Sequence, residues 1–379
     1  YKPDSSFVVC IYAEEEIQKN GKYLMCIGMS GIDTFTGKNY FHESYSMVDD
    51  DKLALDEAIR FVNGLNPKEI ILLHNKKDYG ITREDLIAYL SMDEHKIHYK
   101  TLNMIDKKYL KLNYQSEFLK RVYTNCGTIN PIEYIEMDKK QYAVISHVYL
   151  LDFIYEHNNE MIKNLNSPEL FFNIKTLIFG NNAPEQLNVF DSRNDTGVKF
   201  NCLYKVVNNA STSMGRRLVK DKLACPIVSK NELNTIYECN DELINKKLVG
   251  LLDKELRDIV DVERLFRKMI INSLHPSEFY SLIQSLKQIF NIVNIIKTKT
   301  VKCKKFLPKE EQLKSLVQFI NSVSTIYNMD ELQKHVLNEI NTNIFLVGQH
   351  TDIDDIIKKI TMGNNFMDAL ADKLSLLIP

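Results

Sequence analysis

No uncharged stretch of this 379-residue chain approaches the roughly 20 apolar residues of a membrane-spanning helix, so no membrane span is expected. No cleavable leader is expected from the opening residues. The chain opens Tyr1-Lys2-Pro3-Asp4 without methionine, which predicts a segment of a longer protein. There is no surplus of one charge: 48 basic residues, nine of them arginine, face 50 acidic ones. A dedicated nucleic-acid binder shows a basic excess, so any DNA contact is expected to be local or to belong to other parts of the parent. There is no C-x-x-C pair. Cys10, Cys26, Cys126, Cys202, Cys225, Cys239 and Cys303 are scattered and odd in number, which speaks against a zinc site and a disulfide framework. They are expected to be small core residues of a protein in an intracellular, reducing compartment.

What is present is ordinary globular composition, 44% apolar and 26% charged, which excludes a mainly disordered chain. The length predicts two or three domains. The pattern changes near residue 125. Before it, apolar runs at Phe7–Tyr12, Tyr23–Ile32 and Asn39–Ser46 read as strands. A helix follows, with Leu55, Ala58, Ile59 and Val62 inward, stopped by Gly64 and Pro67. Glu69–His74 reads as a strand, Thr82 to Asp85 as a capping box opening a second helix, and Ile97–Leu102 as a fifth strand. Beyond Gly127 the pattern is helical. Tyr142, Ile145, Tyr149 and Phe153 form one stripe and Val144, Val148, Leu151 and Tyr155 another, as in a helix buried within a bundle; Ser146 and His147 among them read as core polar residues. Pro276 opens a long helix with a seam of Phe279, Leu282, Leu286, Ile289, Val293 and Ile296. Pro308 opens another, with Leu313, Leu316, Val317, Ile320 and Val323 inward, and Asn364–Leu377 reads as a last helix.

Candidate chemistry is sparse. Gly31-Ile32-Asp33-Thr34-Phe35-Thr36-Gly37-Lys38-Asn39 superficially suggests a phosphate loop, but five residues separate its glycines where a P-loop has four. Asn39 also stands where a magnesium-binding hydroxyl belongs, so a hairpin turn is expected. Three strands, then helix, strand, helix and strand resemble the ribonuclease-H fold, yet neither Phe7–Tyr12 nor Ile70–His74 carries a carboxylate. Asp33 and Asp56 alone are too few for two-metal chemistry. His95 and His98, beside Asp93 and Glu94, read as an exposed turn. Arg216, Arg217, Lys220 and Lys222 form a basic cluster that reads as a solvated face or internal ion pairs ahead of phosphate contact. Taken without the resemblance below, the chain reads as an adaptor.

One segment is specific. Asn208-Asn209-Ala210-Ser211-Thr212-Ser213-Met214-Gly215-Arg216-Arg217-Leu218-Val219, ending at Pro226, resembles the core signature of the MutS DNA mismatch-repair family, T-x-M-G-x-R-x-L in a helix ending before a proline. Thr212, Met214, Gly215, Arg217 and Pro226 match, with Val219 in the leucine place. The next helix is expected from Ser229, with Glu232 completing a capping box. Asp261-Val262-Glu263-Arg264 resembles the family's D-[LV]-E-R stretch, contributing Asp261 and Arg264. The turn from Val347-Gly348 to Asp354 resembles the one preceding the helix that rises to the clamp. Upstream, Asp33, Thr36 and Gly37 resemble the connector strand-turn motif, and Pro67 and Glu69 its strand entry. The stretch from Glu156-His157-Asn158-Asn159 to Asn188-Val189-Phe190 is most similar to the divergent MutS branch of large DNA viruses and octocoral mitochondria.

The resemblance implies a multidomain α/β plus all-α chain: a ribonuclease-H-like mixed-sheet connector at 1–125 and a long-helix core/lever at 126–379, without clamp or ATPase. It implies the middle of a mismatch-recognition ATPase. This segment would relay signals between the ATPase and DNA-binding ends, with no catalytic residue, metal or cofactor of its own. ATP and magnesium, mismatched double-stranded DNA, dimerisation and a MutL-type partner are implied for the parent. Gly215 is expected to admit a close helix neighbour. Arg217 is expected to pair with a buried carboxylate, at about 3 kcal/mol if truncated. The alternatives are a meiotic MutS-like recombination-junction clamp and a non-catalytic scaffold with an inactive ribonuclease-H-like domain.

Overall fold

A computed structural model describes residues 5–17, 23–76, 80–90, 96–171, 177, 179, 183–190, 200–340 and 342–375. They fall into two compact units, Tyr1–Tyr237 with Phe266–Ile271, and Glu238–Leu265 with Asn272–Pro379.

The first unit is built on a mixed sheet of β1 (Phe7–Ile17), β2 (Tyr23–Asp33), β3 (Asn39–Tyr45), β4 (Glu69–Asn75), β5 (Ile97–Thr101) and β6 (Glu169–Leu170) in the order β5-β4-β1-β2-β3-β6. The strands β1, β2 and β3 pair antiparallel, while β4 lies parallel to β1 and to β5. Alternation along β1 divides the core. Val9, Ile11 and Ala13 pack with α1 (Leu53–Leu65) and α2 (Arg83–Tyr89). Cys10 and Tyr12 pack on the other face with α3 (Leu112–Val122) and α5 (Gln141–His157). The Thr82 cap expected for α2 is present, its hydroxyl accepting from the Asp85 amide at 3.1 Å. The helix α1 runs through Gly64 and is ended by Asn66 in the left-handed conformation.

Helix α5 corrects the bundle reading: it lies on the sheet. Its first turn crosses β2 at Gly28, where a Cβ would come within 2.0 Å of the Tyr142 carbonyl carbon. Glu43 of β3, buried, accepts from the amides of Tyr142 (2.7 Å) and Ala143 (2.9 Å). It thereby caps the positive end of α5 from a different strand. Tyr155, expected inward, is exposed. Because α5 shares the sheet's core, the observed division does not fall at residue 125. The unit continues through α4 (Pro131–Tyr134), α6 (Ala183–Gln186), α7 (Leu203–Val207), α8 (Ser213–Ala224) and the start of α9 (Lys230–Asn245).

The second unit is helical. It holds α10 (Val249–Arg257), α12 (Pro276–Lys299), α13 (Glu310–Ile326), α14 (Met329–Leu332) and α15 (Thr351–Ser375), and α11 (Val262–Ile270) begins in it. Of the α12 seam, Leu282, Leu286 and Val293 are buried, and Leu313, Ile320 and Val323 are buried on α13. Rings of Phe279, Tyr327, Phe345 and His350 form a chain of contacts with centroids 4.4–5.5 Å apart, edge-to-face at both ends and tilted between Tyr327 and Phe345. Against expectation, Cys239 and Cys303 are joined, Cα atoms 5.1 Å apart. Glu242 holds the same junction, its carboxylate accepting from the amides of Val301 and Lys302, both at 2.8 Å. The last helix starts at Thr351, well ahead of Asn364, and none of its described side chains is buried.

Candidate functional site

The turn closing β2 is organised by Asp33, which is buried. One carboxylate oxygen accepts from the amides of Ser6 (2.9 Å) and Phe35 (3.1 Å), and the other from the Thr36 hydroxyl (2.7 Å). Gly37 completes the turn at φ +74°, with the Arg267 side chain against it. Asn39 donates to the carbonyl of Asn166 at 2.9 Å. The nine-residue stretch is thus a hairpin turn, with Asp33 as its brace. Pro67 follows the end of α1, and Glu69 opens β4, its carboxylate 3.6 Å from His98 at the surface. Asp93, Glu94 and His95 lie outside the described residues.

Sequence reasoning missed Arg267. It is 4% exposed and donates to the carbonyls of Met161 (2.5 Å) and Lys163 (2.9 Å). Burial pushes its pKa down, and the carbonyls meet the desolvated guanidinium. The signal available in sequence was an arginine three residues beyond Arg264 in an otherwise apolar stripe.

The core signature folds as its residue types require. Thr212 caps α8, its hydroxyl accepting from the Gly215 amide at 3.0 Å. Gly215 corrects the expectation of a close helix neighbour. The atoms nearest a Cβ there are Ala210 Cβ and Thr212 Oγ1, both at 3.0 Å, so the glycine accommodates its own cap. Met214 lies half-buried in the first turn. Arg217 is buried. Cys225 ends the helix and the Pro226 carbonyl accepts from the Leu177 amide at 2.7 Å. Ser229 caps α9, accepting from Glu232 at 3.4 Å. Of the basic cluster, Arg216, Arg217 and Lys220 line one cavity, while Lys222 is exposed.

In the second unit Asp261 caps α11 and pairs with Arg264 at 3.1 Å. Gly348 sits at φ +91°, and its amide donates to Asp354 at 2.7 Å. The aspartate therefore lies inside the first turn of α15, holding the preceding turn in place.

The first strand extends past Tyr12 to Ile17 and carries Glu14, Glu15 and Glu16. Their roles are structural. Glu14 accepts from Asn75 (2.8 Å) and Tyr12 (2.7 Å), Glu15 from the Ile81 amide (2.8 Å), and Glu16 from the Tyr142 hydroxyl. Among the described residues, no group of three or more His, Cys, Asp or Glu is arranged to hold a metal ion. His147 bridges Ser30 (2.7 Å) and Tyr123 (2.9 Å) in the core, and burial pushes its pKa down to about 3. It is a neutral core residue, since proton transfer at neutral pH calls for a pKa nearer 7.

A family model described as MutS domain III matches residues 182–376. The chain belongs to the MutS family. It is 31% identical, over 94% of its length, to a mutS homolog of Acanthamoeba polyphaga mimivirus, of which it covers 34%. It is 24% identical, over 94% of its length, to the DNA mismatch repair protein MutS of Caldanaerobacter subterraneus subsp. tengcongensis, covering 39%. A mitochondrial DNA mismatch repair protein mutS homolog of the octocoral Sarcophyton glaucum is 29% identical over 60% of the chain, which covers 22% of it. The chain spans about a third of the length of most of the curated relatives it matches. The viral and octocoral relatives agree with the branch that the linking segment resembles. No described helix is long and apolar enough to cross a membrane.

Proposed function

We propose that this chain is the middle segment of a MutS-type mismatch-recognition ATPase, and that it carries signals between the nucleotide-hydrolysing and DNA-reading parts of its parent. The observation that carries this reading is the domain III match over 182–376. The signature residues in that stretch act as local braces: Thr212 on Gly215, Asp261 on Arg264 and Asp354 on Gly348. Braced helices switch between discrete arrangements rather than bending continuously.

In this reading the sheet is the connector, of ribonuclease-H-like architecture. The order β3-β2-β1-β4-β5, with β1–β3 antiparallel and β4 and β5 parallel to β1, supports it. Arg217 anchors α8 through a carboxylate. The parent uses ATP and magnesium, binds mismatched double-stranded DNA, dimerises and meets a MutL-type partner, while this segment catalyses nothing. Its compartment is intracellular and reducing, and there Cys239 and Cys303 would rest as thiols.

The test compares the 379-residue chain with its full-length parent. The chain alone should bind a mismatched duplex weakly and turn over no ATP. The parent should hydrolyse ATP and prefer a mismatched to a matched duplex. ATP turnover by the isolated chain above a heat-denatured control, or a parent indifferent to mismatches, would refute the proposal.

A further inference from the structure

The first unit holds a cavity of about 530 Å³, inside the range of small-molecule sites, roughly 300–1,000 Å³. One wall is aromatic. The Tyr40 ring lies 6.1 Å from Phe7 and 5.9 Å, edge-on, from Phe171, and all three line the space. The same lining carries cations. Lys38 comes from the turn after β2, and Arg216, Arg217 and Lys220 come from successive turns of α8. Six Lys and Arg side chains line the cavity against two carboxylates, Asp33 and Asp221. Asp33 already accepts from two amides and a hydroxyl.

Guanidinium groups match phosphate oxygens bidentately, and aromatic faces take a stacked base. We propose that this cavity binds a free nucleoside polyphosphate. The base would lie against the Tyr40–Phe171 wall and the phosphates among Lys38, Arg216 and Lys220. Such a site has no P-loop. The stretch that superficially suggests one, Gly31–Asn39, is the hairpin turn that delivers Lys38 to the rim. The proposal stands on the cavity alone and is independent of the mismatch-recognition reading.

The experiment is calorimetric titration of the 379-residue chain with ADP, adenosine and pyrophosphate, each in EDTA. ADP is expected to bind at least tenfold more tightly than either fragment, since each fragment meets only the aromatic or only the cationic side chains. Lys38→Glu and Lys220→Glu should each weaken ADP at least tenfold in a chain that circular dichroism shows still folded. Lys222→Glu, on the same helix but outside the cavity, should leave the affinity within about twofold. The proposal falls if ADP does not bind at about 1 mM, or if pyrophosphate binds as tightly as ADP. It falls equally if Lys222→Glu weakens binding as much as Lys220→Glu does. An oligothymidylate with a 5′-phosphate that displaces ADP at far lower concentration would assign the site to a strand end and also overturn it.

Discussion

The sheet unit and the helical unit are held together by different means. In the first, two dense clusters flank one sheet, and polar groups such as Asp33, Glu43 and Arg267 are sunk in it, each held by backbone partners. In the second, buried side chains thin out along the chain until α15 has none among its described residues. Its order rests on discrete ties: the Glu242 carboxylate, the Gly348–Asp354 bond and, in the oxidised chain, the Cys239–Cys303 disulfide. A packed core fails when its volume is disturbed, whereas a tied scaffold fails when a tie is cut.

The sharpest way to break the contrast is Gly28→Ala. A methyl group directed at the Tyr142 backbone should lift α5 from the sheet and cost at least about 3 kcal/mol, the upper end of overpacking. Urea unfolding should show loss of the sheet unit, and a midpoint within error of wild type would refute the close approach. Next comes reduction. Cutting a disulfide with a sequence separation of 64 should destabilise the helical unit by about 2–3 kcal/mol and leave the sheet unit unchanged. Calorimetry with and without dithiothreitol reads this directly, and a uniform drop across both units would show that the ties are not local.

Acid should act the other way round. Burial holds His147 at a pKa of about 3, below its unfolded value of about 6.5. The unfolded chain therefore binds the extra proton, and stability falls as pH drops from about 6.5 towards 3, by up to about 1.4 kcal/mol per unit. His147→Phe should flatten that part of the profile; an unchanged slope would mean that other groups produce it. The smallest effect is Thr212→Ala, which removes the α8 cap at about 1 kcal/mol, to be read from thermal melts.

The same contrast decides what was legible in sequence. Five of the six strands, the Thr82 and Ser229 caps and the α12 seam are written in local pattern, because neighbours along the chain create them. The sixth strand, Glu169–Leu170, has two residues and owes its existence to β3. Placement of α5 on the sheet was illegible because its decisive partners, Gly28 and Glu43, lie about a hundred residues away. Of the site, the turn and cap residues were legible as motifs. Arg267 and the cavity that Arg216, Arg217 and Lys220 share with Tyr40 and Phe171 were not, since both depend on segments distant in sequence.

The most direct test of the account uses the full-length parent, measuring release from a mismatched duplex with and without ATP, for wild type and for Asp354→Asn. If the braced helices carry the signal, the variant should still bind the mismatch but lose much of its ATP-driven release, a coupling change of about 1–3 kcal/mol. Release accelerated by ATP equally in both proteins would contradict a relay running through this segment.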